Sequence, residues 1–361
     1  MIRRQAAFAI PGDINTVTGG YIYERRLLEE LRALGHDVLH VELGGSFPQP
    51  TRQDMSHAVE ALMALPPDRA LILDGLVYGS IDTAGLAKVR APIVAMIHHP
   101  LALETGLDSD ERDHLYKTER DNLALAQQVL VPSPHTAEIL HRDYGVPQSR
   151  ITVVRPGLDR TAGAGVQPNA KRNGGEGVPL ILSVGIQHPR KGHDILLKAL
   201  HEVRWLEWQA VLVGSAHDPA HASHLKNMVA DLSLSDRLTL AGKIPRKALD
   251  KLFETASLFA LATRYEGYGM VFDEALAWGL PIVSCATGAV PRTIPANAGL
   301  LVPPDDPTAF AEALNAILTD GALRDRLGAA SQEAGKSLPS WQDAAKTAGA
   351  VLDQLPKSGG H

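Results

Sequence analysis

The chain has 361 residues, a formal net charge of −6 and one cysteine. That length accommodates two domains of ordinary size, and the acidic balance argues against nucleic acid as a main partner. The lone Cys285 excludes an internal disulfide and, lying in an apolar run, reads as a core residue.

The N-terminal stretch Met1 to Ile10 is too short in its apolar part for a secretory leader and runs into Pro11-Gly12, so it reads as a first strand from Ala6 to Ile10. No apolar run reaches the length of a membrane span, and a cytoplasmic location is expected. Pro11 to Gly20 is a loop, and Tyr21 to Leu34 is a helix with Ile22, Leu27, Leu28, Leu31 and Leu34 toward a core. Asp37 to Leu43 is the next strand. The chain therefore opens with a β-loop-α-β unit, and a parallel sheet follows. Thr18-Gly19-Gly20 lies where loop meets helix, and glycines there let a ligand approach the backbone. Ala70 to Asp74 and Pro92 to Ile97 are further strands. The second ends in His98-His99-Pro100, at the kind of strand end where α/β folds build ligand sites. A metal site of His98, His99 and Glu104 is conceivable, but the spacing matches no zinc motif.

Glu111 to Gln128 reads as a long polar-faced helix and Gln128 to Val131 as a strand. Ser133-Pro134-His135-Thr136 opens a helix through Tyr144, with Thr136 a candidate cap. Ile151 to Val154 is a strand, followed by Arg155-Pro156-Gly157-Leu158-Asp159. Thr161 to Gly177 has no periodicity and is the expected linker.

The second half starts over, with a strand from Pro179 to Val184, a loop from Gly185 to Gly192, a helix from Asp194 to Val203 and a strand from Gln209 to Val213. A second doubly wound domain is expected. The loop lacks Walker spacing, and no G-x-G-x-x-G follows a strand, so nicotinamide chemistry has little support. Asp218-Pro219 reads as a cap and first-turn proline, which leaves His217 outside the helix and makes His217, His221 and His224 solvated residues rather than ligands. Asp236 to Leu240 is a strand, Ala241 to Pro245 a loop, and Lys247 to Ala256 a short helix. Beyond Cys285, turn and strand signals alternate over Gly288 to Pro291 and Ala298 to Val302, and Pro307 to Leu318 is a helix. A last helix runs from Ser340-Trp341 to Leu355, and the tail Pro356 to His361 is expected to be disordered.

The chain is organised around Arg264-Tyr265-Glu266-Gly267-Tyr268-Gly269-Met270-Val271-Phe272-Asp273-Glu274, between the apolar runs Ala256 to Ala262 and Ile282 to Cys285. This reads as strand, glycine loop, helix, strand, with the helix starting past Gly269 and Gly279 as its left-handed cap. Backbone N–H groups and a helix N-terminus then face a phosphate or diphosphate. Glu266 and Glu274 suit the hydroxyls of a sugar or ribose as hydrogen-bond acceptors.

Glu266 and Glu274, with seven residues between them, within Tyr-Glu-Gly-Tyr-Gly and Glu-Ala-Leu-Ala-Trp-Gly-Leu-Pro, resemble the E-x7-E signature of retaining GT-B glycosyltransferases of family 4. The resemblance covers essentially the whole chain and is most specific from Gly185 to Pro304. It implies two Rossmann-like doubly wound parallel-sheet domains facing across a cleft: an acceptor domain over 1–160, completed by a crossover helix at about 338–355 anchored by Trp341, a linker over 161–177, and a donor domain over 178–337. It further implies that Gly19 and Gly20 face the donor diphosphate, that His98 (or else His99) contacts the donor sugar, and that the backbone at Lys243 and Ile244 meets the base. Glu274 would bind the ribose. Glu266 with Gly267, Tyr268, Gly269, Met270 and Val271 would hold the sugar and distal phosphate. Arg190 and Lys191, following Gly185, would stabilise the leaving diphosphate. The family's Arg after that first glycine is Ile186 here, so either Arg190 replaces it or that charge is supplied from elsewhere.

The expected function is transfer of a hexose from a UDP- or GDP-sugar to a hydroxyl of a glycan, lipid-linked or small-molecule acceptor. Cations and amides would take the place of a metal, and no cofactor is implied. A two-carboxylate hydrolase does not fit, because carboxylates in a diphosphate cradle cannot serve both faces of a sugar ring. The alternatives are a sugar-nucleotide epimerase of the same shape and a non-catalytic sugar-nucleotide-binding subunit. Arg25-Arg26 raises peripheral contact with a membrane surface.

Overall fold

A computed structural model describes residues 3–159 and 177–356. The chain divides into two compact units, one of Met1–Gly157 with Pro339–His361 and the other of Leu158–Leu338. Of the expected linker only Gly177 falls within the described residues, and of the expected tail only Pro356.

In the first unit the apolar runs form β1 (Ala6–Pro11), β2 (Val38–Leu43), β3 (Ala70–Asp74), β4 (Ile93–Met96), β5 (Gln128–Val131) and β6 (Ile151–Val153). They pair in parallel in the order β2-β1-β3-β4-β5-β6. Every residue of β1 and β3 is buried, as expected for strands covered on both faces. The chain leaves β1 toward β2 and returns on the other side for β3. That makes β1/β3 the switch point at which such sheets open a crevice.

The helix Gly19–Ala33 buries Tyr23, Glu24, Leu27, Leu28 and Leu31. Ile22 and Leu34, expected in the core, are only half-buried, because the stripe is turned toward Tyr23. The C-terminal helix Trp341–Gln354 packs on this same helix. The Trp341 ring meets Tyr23 edge-on at 5.6 Å, and Arg26 lies over it at 5.9 Å. Arg25 donates to the Ile14 carbonyl at 3.2 Å, so the arginine pair expected to be exposed is half-buried.

Three local expectations change here. The helix expected over 111–128 spans Ser109–Leu123, opened by a capping box of Asp108 and Glu111. Ser133, not Thr136, caps the helix Pro134–Arg142: its hydroxyl accepts from the Thr136 N–H at 3.0 Å. The helix Arg52–Met63 was not anticipated; it buries only Ala58 and Leu62, too few for a clear apolar stripe.

The second unit holds β7 (Leu180–Val184), β8 (Gln209–Val213), β9 (Leu238–Gly242), β10 (Leu258–Leu261), β11 (Ile282–Cys285) and β12 (Gly299–Val302). The order is β12-β11-β10-β7-β8-β9, again parallel, so the switch point lies between β7 and β10. One face of the sheet packs Leu196, Leu200, Phe310 and Leu314; the other packs Phe253, Phe259, Phe272 and Leu276. Cys285 is fully buried. Asp218 caps the helix Pro219–Asp231 as expected. β9 starts two residues later than expected, just after Arg237, whose guanidinium lies over the Trp208 ring at 4.4 Å. The stretch 290–293 is a short helix rather than an alternation of turn and strand. The helix Gly321–Lys336, capped by Asp320, is a further addition. Both doubly wound sheets are present.

Candidate active site

The loops after β7 and β10 meet at the switch point of the second unit. After β7 the chain makes a tight turn at Pro189–Lys191, with the His188 ring accepting from the Arg190 N–H at 3.2 Å. Gly192 then takes a left-handed φ of 62° and starts the helix His193–Glu202. It lies against the Ala262 carbonyl, where a Cβ would overlap the oxygen. The Arg264 N–H donates to the Arg190 carbonyl at 2.8 Å, and the Thr263 hydroxyl oxygen lies 3.1 Å from the same carbonyl. Arg264 also grips both oxygens of Asp194, at 2.9 and 2.8 Å, and Asp305 at 2.7 Å. Arg264 is thereby a structural clamp between the two loops.

The clamp brings Lys191 and Arg190 onto Glu266. Lys191 Nζ lies 2.6 Å from Glu266 Oε1, and Arg190 Nη1 lies 3.6 Å from Oε2. Thr263 donates to the same Oε1 at 3.0 Å, and Arg190 donates to the Tyr265 carbonyl at 3.0 Å. Glu266 is 5% exposed. Burial alone would raise its carboxyl, but Lys191 and then Arg190 outweigh that and hold it below the usual range. Glu266 is therefore ionised at neutral pH. Gly185 packs against the Lys191 side chain, and Ile186 is half-buried beside it in sequence.

Beyond Glu266, Gly269 takes φ 89° and caps the helix Met270–Ala277 with no side-chain hydrogen bond. The first-turn N–H groups at this end are not met by a capping side chain, and Met270 and Val271 are part-exposed. Tyr268 is 6% exposed, and its hydroxyl donates to Asp273 at 2.5 Å. Only its backbone is therefore available to a ligand. On the next turn Glu274 pairs with Arg246 at 2.7 Å, and Arg246 also holds Asp250 at 2.8 Å. Burial raises the Glu274 carboxyl, with Arg246 opposing, so the two glutamates are shifted in opposite directions. Arg246 was not anticipated. A signal existed: it is the first residue of the helix Arg246–Thr255, where the helix dipole disfavours a cation unless a carboxylate is near. Lys243 is exposed and Ile244 half-buried, just past the end of β9.

In the first unit, Gly19 and Gly20 open the helix Gly19–Ala33, whose N-cap Thr18 makes no side-chain bond. His98 does not join His99 and Glu104. Its Nε2 lies 3.2 Å from Glu24, while His99 pairs separately with Glu104 at 3.2 Å. The residues brought together are instead Glu24, Asp74 and His98, with their ligand atoms within 4.8 Å of one another. Glu24 could have been noticed in the sequence, because it occupies the apolar stripe of Leu27, Leu28 and Leu31. His217 and His224 are exposed, and His221 is half-buried with its ring 6.2 Å from His224.

Two parallel doubly wound sheets, with a cation pair and an uncapped helix N-terminus at the second switch point, define the class, and solved structures agree. Sucrose-phosphate synthase from Thermosynechococcus elongatus superposes with a TM-score of 0.82 at 24% identity, covering 98% of this chain and 99% of that one. Anabaena Alr3699/HepE in complex with UDP-glucose superposes with a TM-score of 0.75 at 16% identity, covering 97% and 100%. The fold is GT-B. Residues 168–334 match the family model described as glycosyl transferases group 1, and residues 76–162 match that of glycosyltransferase family 4. The chain belongs to the glycosyltransferase family that these two models describe. A D-inositol 3-phosphate glycosyltransferase from Xylanimonas cellulosilytica is 30% identical over 246 residues, which are 65% of this chain and 58% of that protein. The match thus spans little more than half of that relative's length. No helix among the described residues is long and apolar enough to cross a membrane.

Proposed function

We propose that the chain transfers a sugar from a nucleoside-diphosphate sugar to an acceptor hydroxyl, with retention at the anomeric carbon and without a metal. The observation that carries this is the convergence of Lys191 and Arg190 on Glu266, beside the uncapped helix end at Gly269. The donor diphosphate sits at the N–H groups of Met270 and Val271, with Gly267 and Gly269 allowing its approach. Arg190 and Lys191 neutralise the diphosphate as the bond from the anomeric carbon to its oxygen breaks. The acceptor oxygen bonds to that carbon on the face the diphosphate leaves, and the acceptor proton passes to a phosphate oxygen. Glu266, ionised and held by two cations, accepts from sugar hydroxyls and keeps the cations aimed. Glu274 receives the ribose, and the backbone at Lys243 and Ile244 receives the base. His98 is the sugar-contacting group of the first unit, beside Gly19 and Gly20.

The complex of HepE with UDP-glucose supports a UDP-sugar as the first donor to try. The names of the inositol-phosphate enzyme and of sucrose-phosphate synthase both carry a phosphorylated sugar or polyol, so such phosphates are the first acceptors. Thermal unfolding with UDP, GDP and ADP and their hexose conjugates tests the donor. At about 100 times its dissociation constant the true donor adds roughly 2.7 kcal/mol, which raises the melting temperature by about 5–10 °C for units of this size. Product from that donor and an acceptor carries the donor's anomeric configuration by NMR. A melt that moves with no nucleotide, or a product of inverted configuration, overturns the reading. Glu274→Ala is expected to weaken donor binding by about 10–100-fold, the value of a charge-assisted hydrogen bond. Calorimetry showing unchanged donor affinity would remove the ribose role.

A further inference from the structure

We propose that Glu24 is a positioning residue for His98, its carboxylate fixing the imidazole as the Nε2–H tautomer so that Nδ1 accepts a hydroxyl of the sugar substrate. The role of His98 in this rests on the function proposed above. The geometry stands without it. Glu24 is 1% exposed and Asp74 3% exposed. Glu24 sits on the helix after β1, Asp74 ends β3, and His98 follows β4, so all three gather at the switch point of the first unit. Asp74 is fixed in place by accepting from the Leu76 N–H at 2.8 Å and the Val77 N–H at 3.4 Å. The Glu24 and Asp74 carboxyls are hydrogen-bonded to each other. Among the described residues neither pairs with a lysine or arginine.

Two buried carboxyls in contact hold one proton between them. Burial pushes Glu24 up to about 7 and Asp74 well above its ordinary value. The pair thus shares at least one proton at neutral pH, and an oxygen of Glu24 lies 3.2 Å from His98 Nε2. Burial lowers the His98 pKa, against a smaller opposing pull from Asp74, which keeps the ring neutral. A neutral imidazole that donates from Nε2 must accept at Nδ1. The Tyr23 ring, edge-on at 5.2 Å, blocks rotation, and the His98 side chain retains 22% exposure, enough for one substrate contact. Tyr21, beyond the end of β1, is a further ionisable group that faces both Asp74 and Glu24.

The test uses the full chain with 15N-labelled histidine. The expected spectrum has a pyridine-type Nδ1 and a pyrrole-type Nε2 for His98, assigned with His98→Ala. Glu24→Ala is expected to mix the tautomers, and Glu24→Gln, whose amide oxygen still accepts from Nε2–H, to restore them. In activity, Glu24→Ala and His98→Ala each lower kcat/KM by about 100-fold, the cost of a misplaced contact, and the double variant loses no more than His98→Ala alone. Additive losses, or a tautomer unchanged in Glu24→Ala, overturn the proposal. So does stoichiometric binding of Mn²⁺ or Zn²⁺ that Glu24→Gln abolishes, which would make the three residues a metal site. The NMR arm needs neither donor nor acceptor, so it reads the Glu24–His98 linkage even if no transfer is found.

Discussion

Lys191→Ala lowers kcat by about 10²–10³-fold while the protein stays folded, the usual loss when one preorganised charge at a leaving group is removed. The Lys191 side chain is 14% exposed, and its ammonium is aimed by Glu266 at 2.6 Å, so it pays no ordering cost at the moment of reaction. Arg190 remains 3.6 Å from the carboxylate in the variant, so Glu266 keeps one cation and the loop keeps its clamp at Arg264. The stability cost has a defined pH dependence. Glu266 is held below its unfolded value, so its contribution is fully present above about pH 4.3 and fades as pH falls through the folded value. Lys191→Ala shrinks that contribution. The gap in unfolding free energy between wild type and variant is therefore widest at neutral pH and narrows below about pH 4. Single-turnover kinetics with saturating donor check the first part, and urea unfolding at two pH values checks the second. A kcat within about threefold of wild type would remove Lys191 from the chemistry.

Gly192→Ala should unfold the second unit at much lower denaturant and abolish transfer with it. The residue sits at φ 62°, and its Cβ would overlap the Ala262 carbonyl oxygen, which is backbone at the end of β10 and cannot swing away. A non-glycine residue in the left-handed region costs about 1–3 kcal/mol, and forced overpacking adds about 1–3 kcal/mol more. The melting temperature should fall by roughly 5–15 °C. The clash would separate the two loops that carry Lys191 and Glu266, so residual folded protein should also bind donor weakly. An alanine variant with wild-type melting and wild-type turnover would mean that the loops are not pressed together as described.

Local pattern carried a large part of the fold. The strands of both sheets stood out as short apolar runs bounded by Gly, Pro and Asp, and their alternation with helical stretches implied parallel sheets. The left-handed position at Gly279 and the cap at Asp218 also follow from neighbouring residues alone. The helices Arg52–Met63 and Gly321–Lys336 escaped notice because they bury so few apolar side chains that tertiary packing, not periodicity, holds them. The site residues of the second unit were legible as types in a loop, but not as a constellation.

Which charges meet was decided by the tertiary structure. Lys191 and Glu266 are 75 residues apart, and they meet only because β7 and β10 are neighbours at the switch point. Glu24, Asp74 and His98 come from three separate elements gathered at the ends of β1, β3 and β4, while His99, adjacent to His98 in the chain, turns to Glu104. Arg246 reaches Glu274 across 28 residues. The amino-acid sequence by itself determined the elements, since helix and strand periodicity and capping act over a few residues. Sheet order brings distant loops within a few ångströms, and in a buried crevice a charge takes whichever partner lies nearest, so spacing along the chain does not encode these pairs.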